Sequence, residues 1–382
     1  MEEIFENIFD EDKMREMIAL RTLIARHFTA SDFTLSDRSI KFVVGEIKSP
    51  FHQIKRDFVK IGYYPFLRRY GNSRVCVLMK PRGGIREHNR MEIIMPAVLF
   101  VLTLVTTTMA GYFFSQPMVE AGFLKNIWAG CVSFSAALLF ILGCHEMGHK
   151  ITSMRYGIDA SLPYFIPLPS LAMFGSEFVT LGTLGAVIRV RSPMPDDDAA
   201  IDMGINGPIA GFIAALPIAI IGVMLSHHVG AHPLREGGYV LYFGEPLVLK
   251  AIIRVFMPSG RGGGVAWHPF VYAAWVGFLV TSLNLIPMGQ LDGGHIARAV
   301  LGNNRFRILS WSVVVFLFAL GFIWPGWWVW AIIGVVFTLR GYPRVMNEFE
   351  TLSPAKKWKA IIAVLLFVLC FMPLPINFYS PK

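Results

Sequence analysis

The sequence predicts a polytopic α-helical membrane protein of about seven transmembrane helices, with a re-entrant or strand segment among them and a small α+β soluble domain at the N-terminus. Three observations predict it. Of the 382 residues, 54% are hydrophobic and only 16% charged, whereas soluble domains carry about a quarter charged residues. The mean hydropathy is +0.53. The apolar residues are also gathered into long runs, and none of these runs falls within roughly the first 90 residues.

Residues 1–90 read as the soluble domain. "EDKMREMIALRTLIARHF" has helical periodicity and "SIKFVVGEI" alternates as a strand does. "SPFHQIKRDFVKIG" reads as a helix with Ser49 at the N-cap and Pro50 at the first helical position. "YYPFLRRYGNSRVCVLMK" reads as a hairpin turning at Gly71 and Asn72. A basic, Gly-rich linker, "PRGGIREHNR", follows. No catalytic constellation appears in this domain.

Apolar runs follow at about 93–114, 127–149, 199–226 and 269–290, then "ILSWSVVVFLFALGFIW", "WWVWAIIGVVFTL" and "KWKAIIAVLLFVLCFM". Between the second and third lies "LPYFIPLPSLAMFGSEFVTLGTLGAVIRVRSP", too rich in Pro and Gly for an ordinary helix. Irregular backbone at membrane depth must be buried in protein or line a wet cavity, so this stretch is expected to be re-entrant or surface-lying. The organisation is then 1–90 as a cytosolic domain, 91–300 as the core, and 301–382 as C-terminal helices.

Basic residues set the orientation. Lys80, Arg82, Arg86 and Arg90 precede the first run, and Lys150 and Arg155 follow the second. Arg298, Arg305 and Arg307 follow the fourth, and Arg340, Arg344, Lys356, Lys357 and Lys359 lie between the sixth and seventh. If every run crosses once, all fall on one side, which the positive-inside rule makes cytoplasmic. The same pattern accounts for the net charge of +9 without a nucleic-acid partner. The N-terminus, "MEEIFENIFDEDKM", has neither a secretory nor an Arg-rich transit pattern, which favours a prokaryotic cell membrane over an organelle.

The chemistry is concentrated in "GCHEMGHK". On a helix, His145 and His149 share one face about 6 Å apart along the axis and can bind one metal ion. Glu146, rotated by about 100°, can reach a metal-bound water without being a ligand. A catalytic zinc needs a further protein ligand. Asp292 stands just past the fourth run, and a carboxylate at membrane depth is costly enough to mark a functional site. Cys76, Cys131, Cys144 and Cys370 have no paired spacing. They imply neither disulfides nor a cysteine zinc site.

With "HEMGH" at 145–149, "NGPIAG" at 206–211 and "NLIPMGQLDGGH" at 284–295, the chain resembles the site-2 protease family of intramembrane zinc metalloproteases. The motifs cover roughly residues 93–300. The resemblance implies one Zn²⁺ per chain held by His145, His149 and Asp292, with Glu146 as general base. It implies that Asn284 bonds the substrate backbone, and that extended chain after the HExxH helix pairs with an unwound substrate. "LGTLGAVIRVRS", which includes Gly185, alternates suitably for that role. Asn206 is expected either to act near the substrate or to pack the helices. The stretch between the third and fourth runs is too short for an inserted PDZ domain, and a C-terminal CBS pair is not expected.

The expected function is hydrolysis of peptide bonds in or beside transmembrane segments of proteins within the lipid bilayer. Two alternatives stand beside it. A prenyl-protein-type HExxH peptidase takes a glutamate as third ligand, and a non-catalytic scaffold or transporter would tolerate Glu146→Gln. The sequence sets neither an oligomeric state nor a particular substrate. Other signals have plainer readings. "PDDDAA" caps the third run, His227, His228 and His232 lie in an outer loop, His295 is a neighbour of Asp292, and Trp324, Trp327, Trp328 and Trp330 form an interfacial belt.

Overall fold

A computed structural model describes residues 11–36, 38–81, 90–169, 181–229, 240–257, 264–341, 345–350 and 352–379. The chain forms two compact units: one from Met1–His88, Pro193–Ala200 and Arg344–Ser353, the other from Asn89–Ser192, Ile201–Pro343 and Pro354–Lys382. Most of the linker, residues 82–89, lies outside the described residues, as do 170–180 of the broken stretch and His232.

In the first unit, α1 (Glu11–His27) leads into β1 (Phe28–Ser36) and β2 (Ser39–Ile47). Helix α2 (Phe51–Lys60) then leads into β3 (Tyr64–Tyr70) and β4 (Ser73–Met79). The strands form an antiparallel sheet in the order β1-β2-β4-β3. The hairpin turns at Gly71-Asn72, and Gly71 has the positive φ of 59° that favours glycine. Helix α2 begins one residue later than its sequence suggests. Pro50 is the N-cap, and no side chain caps the helix. Ile54 and Phe58 of α2 pack with Phe28, Phe42 and Leu78 of the sheet.

Two distant stretches complete this unit. Leu67 of β3 donates its N–H to Met346 O and accepts from Glu348 N. This adds a short parallel bridge to the sheet at Asn347. Met346 is fully buried in the core, and its own N–H bonds to Met194 O.

In the second unit, three helices are long and apolar enough to cross a membrane, among the described residues: α3 (Met91–Glu120), α4 (Ile127–Arg155) and α5 (Asp197–Met224). Between α4 and α5 lies the β5–β6 hairpin (Tyr164–Pro167, Thr183–Val187). Two small sheets and a helix follow: β7 (His227–Val229), β8 (Val240–Phe243), α6 (Leu247–Phe256) and β9 (Gly264–Ala266). Helix α7 (Pro269–Asn284) is apolar but shorter. It stops well before the apolar run does, because Pro287 has no N–H to continue it.

Helix α8 (Asp292–Leu320) breaks at Gly302, where φ is 75° and ψ 171°. The predicted fifth crossing therefore corresponds to the part after that break. Helices α9 (Gly326–Leu339) and α10 (Trp358–Cys370) are short, and β10 (Ile376–Tyr379) pairs with β8. One tryptophan departs from the expected interfacial belt. Trp327 is buried against Met288 and Leu317, with its indole N–H on Pro373 O at 2.7 Å.

Close packing of α3 on α4 fixes the core. A Cβ on Gly111 would meet the Cys131 backbone at 2.8 Å. The buried hydroxyls of Thr107 and Ser135 stand 2.6 Å apart. Thr107 also bonds the Thr103 carbonyl one turn back, which satisfies a polar group that lipid could not.

Candidate active site

Helix α4 starts where Asn126 caps it, its side-chain oxygen accepting from Trp128 N. It carries no charged residue up to Cys144 and then presents one polar turn. His145, Glu146 and His149 are all buried there. Cys144 points elsewhere and packs in the hydrophobic core.

The Asn-x-x-Pro-x-x-x-x-Asp-Gly-Gly spacing now has a physical account. Asn284 is the last residue of α7 and Asp292 the first of α8. The connection folds back tightly between them. Gly289 has a φ of 51° and its N–H bonds Ser310 Oγ at 3.0 Å. A Cβ on Gly293 would overlap the Leu285 carbonyl, and one on Gly294 would meet Gly289 O at 2.5 Å. The paired glycines let this turn bring the two polar residues to one place.

That place is the imidazole pair. Asp292 Oδ2 lies 3.4 Å from His145 Nε2 and 3.2 Å from His149 Nε2, and the three donor atoms all fall within 4.8 Å of one another. In a tetrahedral zinc site with bonds of about 2.0–2.1 Å, neighbouring donors stand about 3.3–3.4 Å apart. The hydrogen bonding agrees. His149 Nδ1 is 2.7 Å from the Met203 carbonyl, which can only accept, so Nδ1 carries the proton. In the neutral ring, Nε2 then turns a lone pair toward a carboxylate oxygen that is buried and has no hydrogen-bond partner. Two facing lone pairs at this distance fit a cation between them.

The remaining predicted residues take distinct places. Glu146 is buried, and the backbone N–H of Ile188, just past β6, faces its carboxyl. Asn284 Nδ2 is 3.2 Å from His145 Nε2 and so borders the triad. Gly185 lies on β6 at a φ of 105°, with open space where a Cβ would be. Asn206 donates to Thr152 Oγ1 at 2.8 Å, one turn past His149, and so bonds α5 to α4. His295 has a buried Nδ1 without a hydrogen-bond partner. Asp196 caps α5 through the Ala199 N–H at 2.7 Å.

The model of peptidase family M50 matches residues 133–324, from the second turn of α4 to just past the end of α8. The chain belongs to peptidase family M50. This family match takes in the HExxH turn, the glycines of α5 and the Asn284–Asp292 turn. The chain is 25% identical over 366 residues to "Probable zinc metalloprotease EGY1, chloroplastic" of Arabidopsis thaliana, covering 86% of this chain and 64% of that protein. It is 29% identical over 237 residues to the EGY1 protein of Oryza sativa subsp. japonica, covering 60% and 38%. To EGY2 of Arabidopsis thaliana it is 25% identical over 240 residues, covering 62% and 40%. The chain thus spans between 38 and 64% of the length of these curated relatives. No solved structure matches it.

Sequence reasoning anticipated Asn206 of α5 but missed Met203 on the same helix. Met203 is the residue whose carbonyl orients His149, and nothing in its side chain signals that role. The glycines around it were a usable signal, because they leave room for whatever packs there.

Proposed function

We propose that this M50 chain is an intramembrane zinc endopeptidase that cuts proteins in or beside their transmembrane segments. The observation that carries the reading is the convergence of His145, His149 and Asp292, whose Oδ2 stands 3.4 and 3.2 Å from the two imidazole Nε2 atoms, with Glu146 beside them. The three would hold one Zn²⁺ per chain. When bound, the ion supplies a Lewis acid that lowers the pKa of a water to about 7 and polarises the scissile carbonyl.

The chain's own residues do the rest. Glu146 takes the proton from the attacking water and returns it to the leaving amide nitrogen. Its burial keeps this transfer out of bulk water. Asn284, at the edge of the triad, would donate its side-chain amide to the substrate backbone. A transmembrane helix hides its peptide bonds in internal hydrogen bonds, so it must unwind before attack. Gly185 and the strand around it offer extended backbone for the unwound segment.

The chain is proposed to cross the cell membrane about seven times, with residues 1–90 on the cytoplasmic side. The shorter helices α7, α9 and α10 and the part of α8 after Gly302 supply the crossings beyond α3, α4 and α5. The test is cleavage of a reporter whose transmembrane helix carries helix-breaking residues, by protein reconstituted in vesicles. Wild type should cut it, and Glu146→Gln should bind zinc but not cut. Equal cleavage by both would overturn the assignment of Glu146.

A further inference from the structure

We infer that the Met203–Gly211 face of α5 is a positioning wall of the metal centre, seating all three ligand-bearing residues although it supplies no ligand. The inference rests on the metal-site reading above.

Gly204, Gly207 and Gly211 are spaced by three and four residues and share one face of α5. Each meets a different member of the triad. A Cβ on Gly207 would overlap the His149 ring at Nε2, Cε1 and Cδ2. One on Gly211 would stand 3.0 Å from His145 Nδ1 and 3.1 Å from its Cβ. One on Gly204 would stand 2.6 Å from the Asp292 carbonyl and 3.2 Å from His295 Cβ. Small residues in membrane helices ordinarily let two backbones approach. At Gly207 the group that approaches is the ligating edge of an imidazole.

Two further features make the wall specific. The Met203 carbonyl accepts from His149 Nδ1 at 2.7 Å, which points Nε2 at Asp292. A partner on the far nitrogen fixes both ring orientation and tautomer, and losing such a partner typically costs about 10–100-fold in metal affinity. Asn206 donates to Thr152 Oγ1 at 2.8 Å, and Thr152 bonds the Gly148 carbonyl. At Gly148 itself, a Cβ would overlap the Asn206 carbonyl. The crossing is thus pinned one turn from His149, which aligns Gly207 with the ring. Pro208 has no N–H to bond the Gly204 carbonyl, so that intrahelical bond is missing where the wall faces Asp292.

The test is zinc affinity by chelator competition, on purified full-length protein in detergent. The metal-free thermal midpoint reports folding, and the visible spectrum with Co²⁺ reports ligand geometry. The variants are Gly207→Ala, Gly211→Ala and Gly222→Ala. Gly222 is a packing control on the same helix, since its Cβ would meet Val271 N at 2.8 Å, away from the triad. Gly207→Ala should weaken zinc by about 100-fold and alter the Co²⁺ spectrum. Gly211→Ala should weaken it less, and Gly222→Ala should leave it unchanged. If Gly207→Ala does not fold, Gly211→Ala against Gly222→Ala decides. Wild-type affinity in folded Gly207→Ala or Gly211→Ala would overturn the inference. So would an equal loss in Gly222→Ala. Failure of wild type to bind zinc is a separate result, which would remove the metal-site reading on which the inference stands.

Discussion

The Tyr156 hydroxyl donates to Asp202 Oδ2 at 2.7 Å, joining the end of the HExxH helix to the first turns of α5. Lys356 Nζ lies 3.1 Å from the same oxygen, and Lys359 bonds the other one. Both lysines stand where the chain enters α10, so one carboxylate ties three helices together. Replacing Asp202 by Asn would remove the charge that faces two partly buried ammonium groups. Hydrogen bonds to charged groups contribute about 1.5–3 kcal/mol, so Asp202→Asn should lower the thermal midpoint by several degrees. A midpoint equal to wild type would show the cluster to be idle.

The same cluster gives a pH dependence. Burial, and then the nearby Asp202 carboxylate, push the Tyr156 hydroxyl up to about 12, while the Lys356 hydrogen bond opposes the shift. A folded pKa raised above the usual value of about 10 favours the protonated form. The stabilisation is therefore fully present below about pH 10 and is lost as pH rises toward 12. Wild type should lose stability over that window, relative to its value at pH 8, more than Tyr156→Phe does. Parallel unfolding curves would contradict this.

Zinc should bind the folded chain alone, because only the fold brings His145, His149 and Asp292 together. A ligand at about 1,000 times its Kd stabilises the folded state by about 4 kcal/mol. Chelation should therefore lower the wild-type thermal midpoint and leave that of Asp292→Ala almost unmoved. An identical drop in both proteins would mean that the chelator acts elsewhere.

Asn284→Ala should retain zinc but cut poorly. Losing a buried hydrogen bond to the substrate backbone costs about 1–3 kcal/mol, or roughly 5- to 150-fold in kcat/KM. Cleavage at the wild-type rate would remove Asn284 from substrate binding. Gly185→Val offers a complementary probe, since a β-branched residue is strained at a φ of 105°. It should reduce cleavage and leave zinc affinity untouched. Loss of zinc in that variant would show that the hairpin supports the metal centre instead.

Much of the site was legible because its signals are local. HExxH needs only a helix, and the helix was evident from an apolar run. The Asn284–Asp292 spacing encodes a turn whose Pro287, Gly289, Gly293 and Gly294 are visible as turn chemistry. Non-local pairings left no such trace. The bridge of Leu67 to Asn347 spans most of the chain, and neither segment announces its partner. The break at Gly302 is likewise hidden, because one glycine between two helical patterns also suits a continuous helix. The orientation of His149 depends on a backbone carbonyl, which every residue has.

Zinc content most directly tests the claim that His145, His149 and Asp292 form one metal centre. Wild type, Asp292→Ala and Glu146→Gln would be purified in mild detergent and their metal measured per folded chain. About one zinc should be found in wild type and in Glu146→Gln, and much less in Asp292→Ala. Full zinc in Asp292→Ala, or none in well-folded wild type, would contradict the three-ligand site.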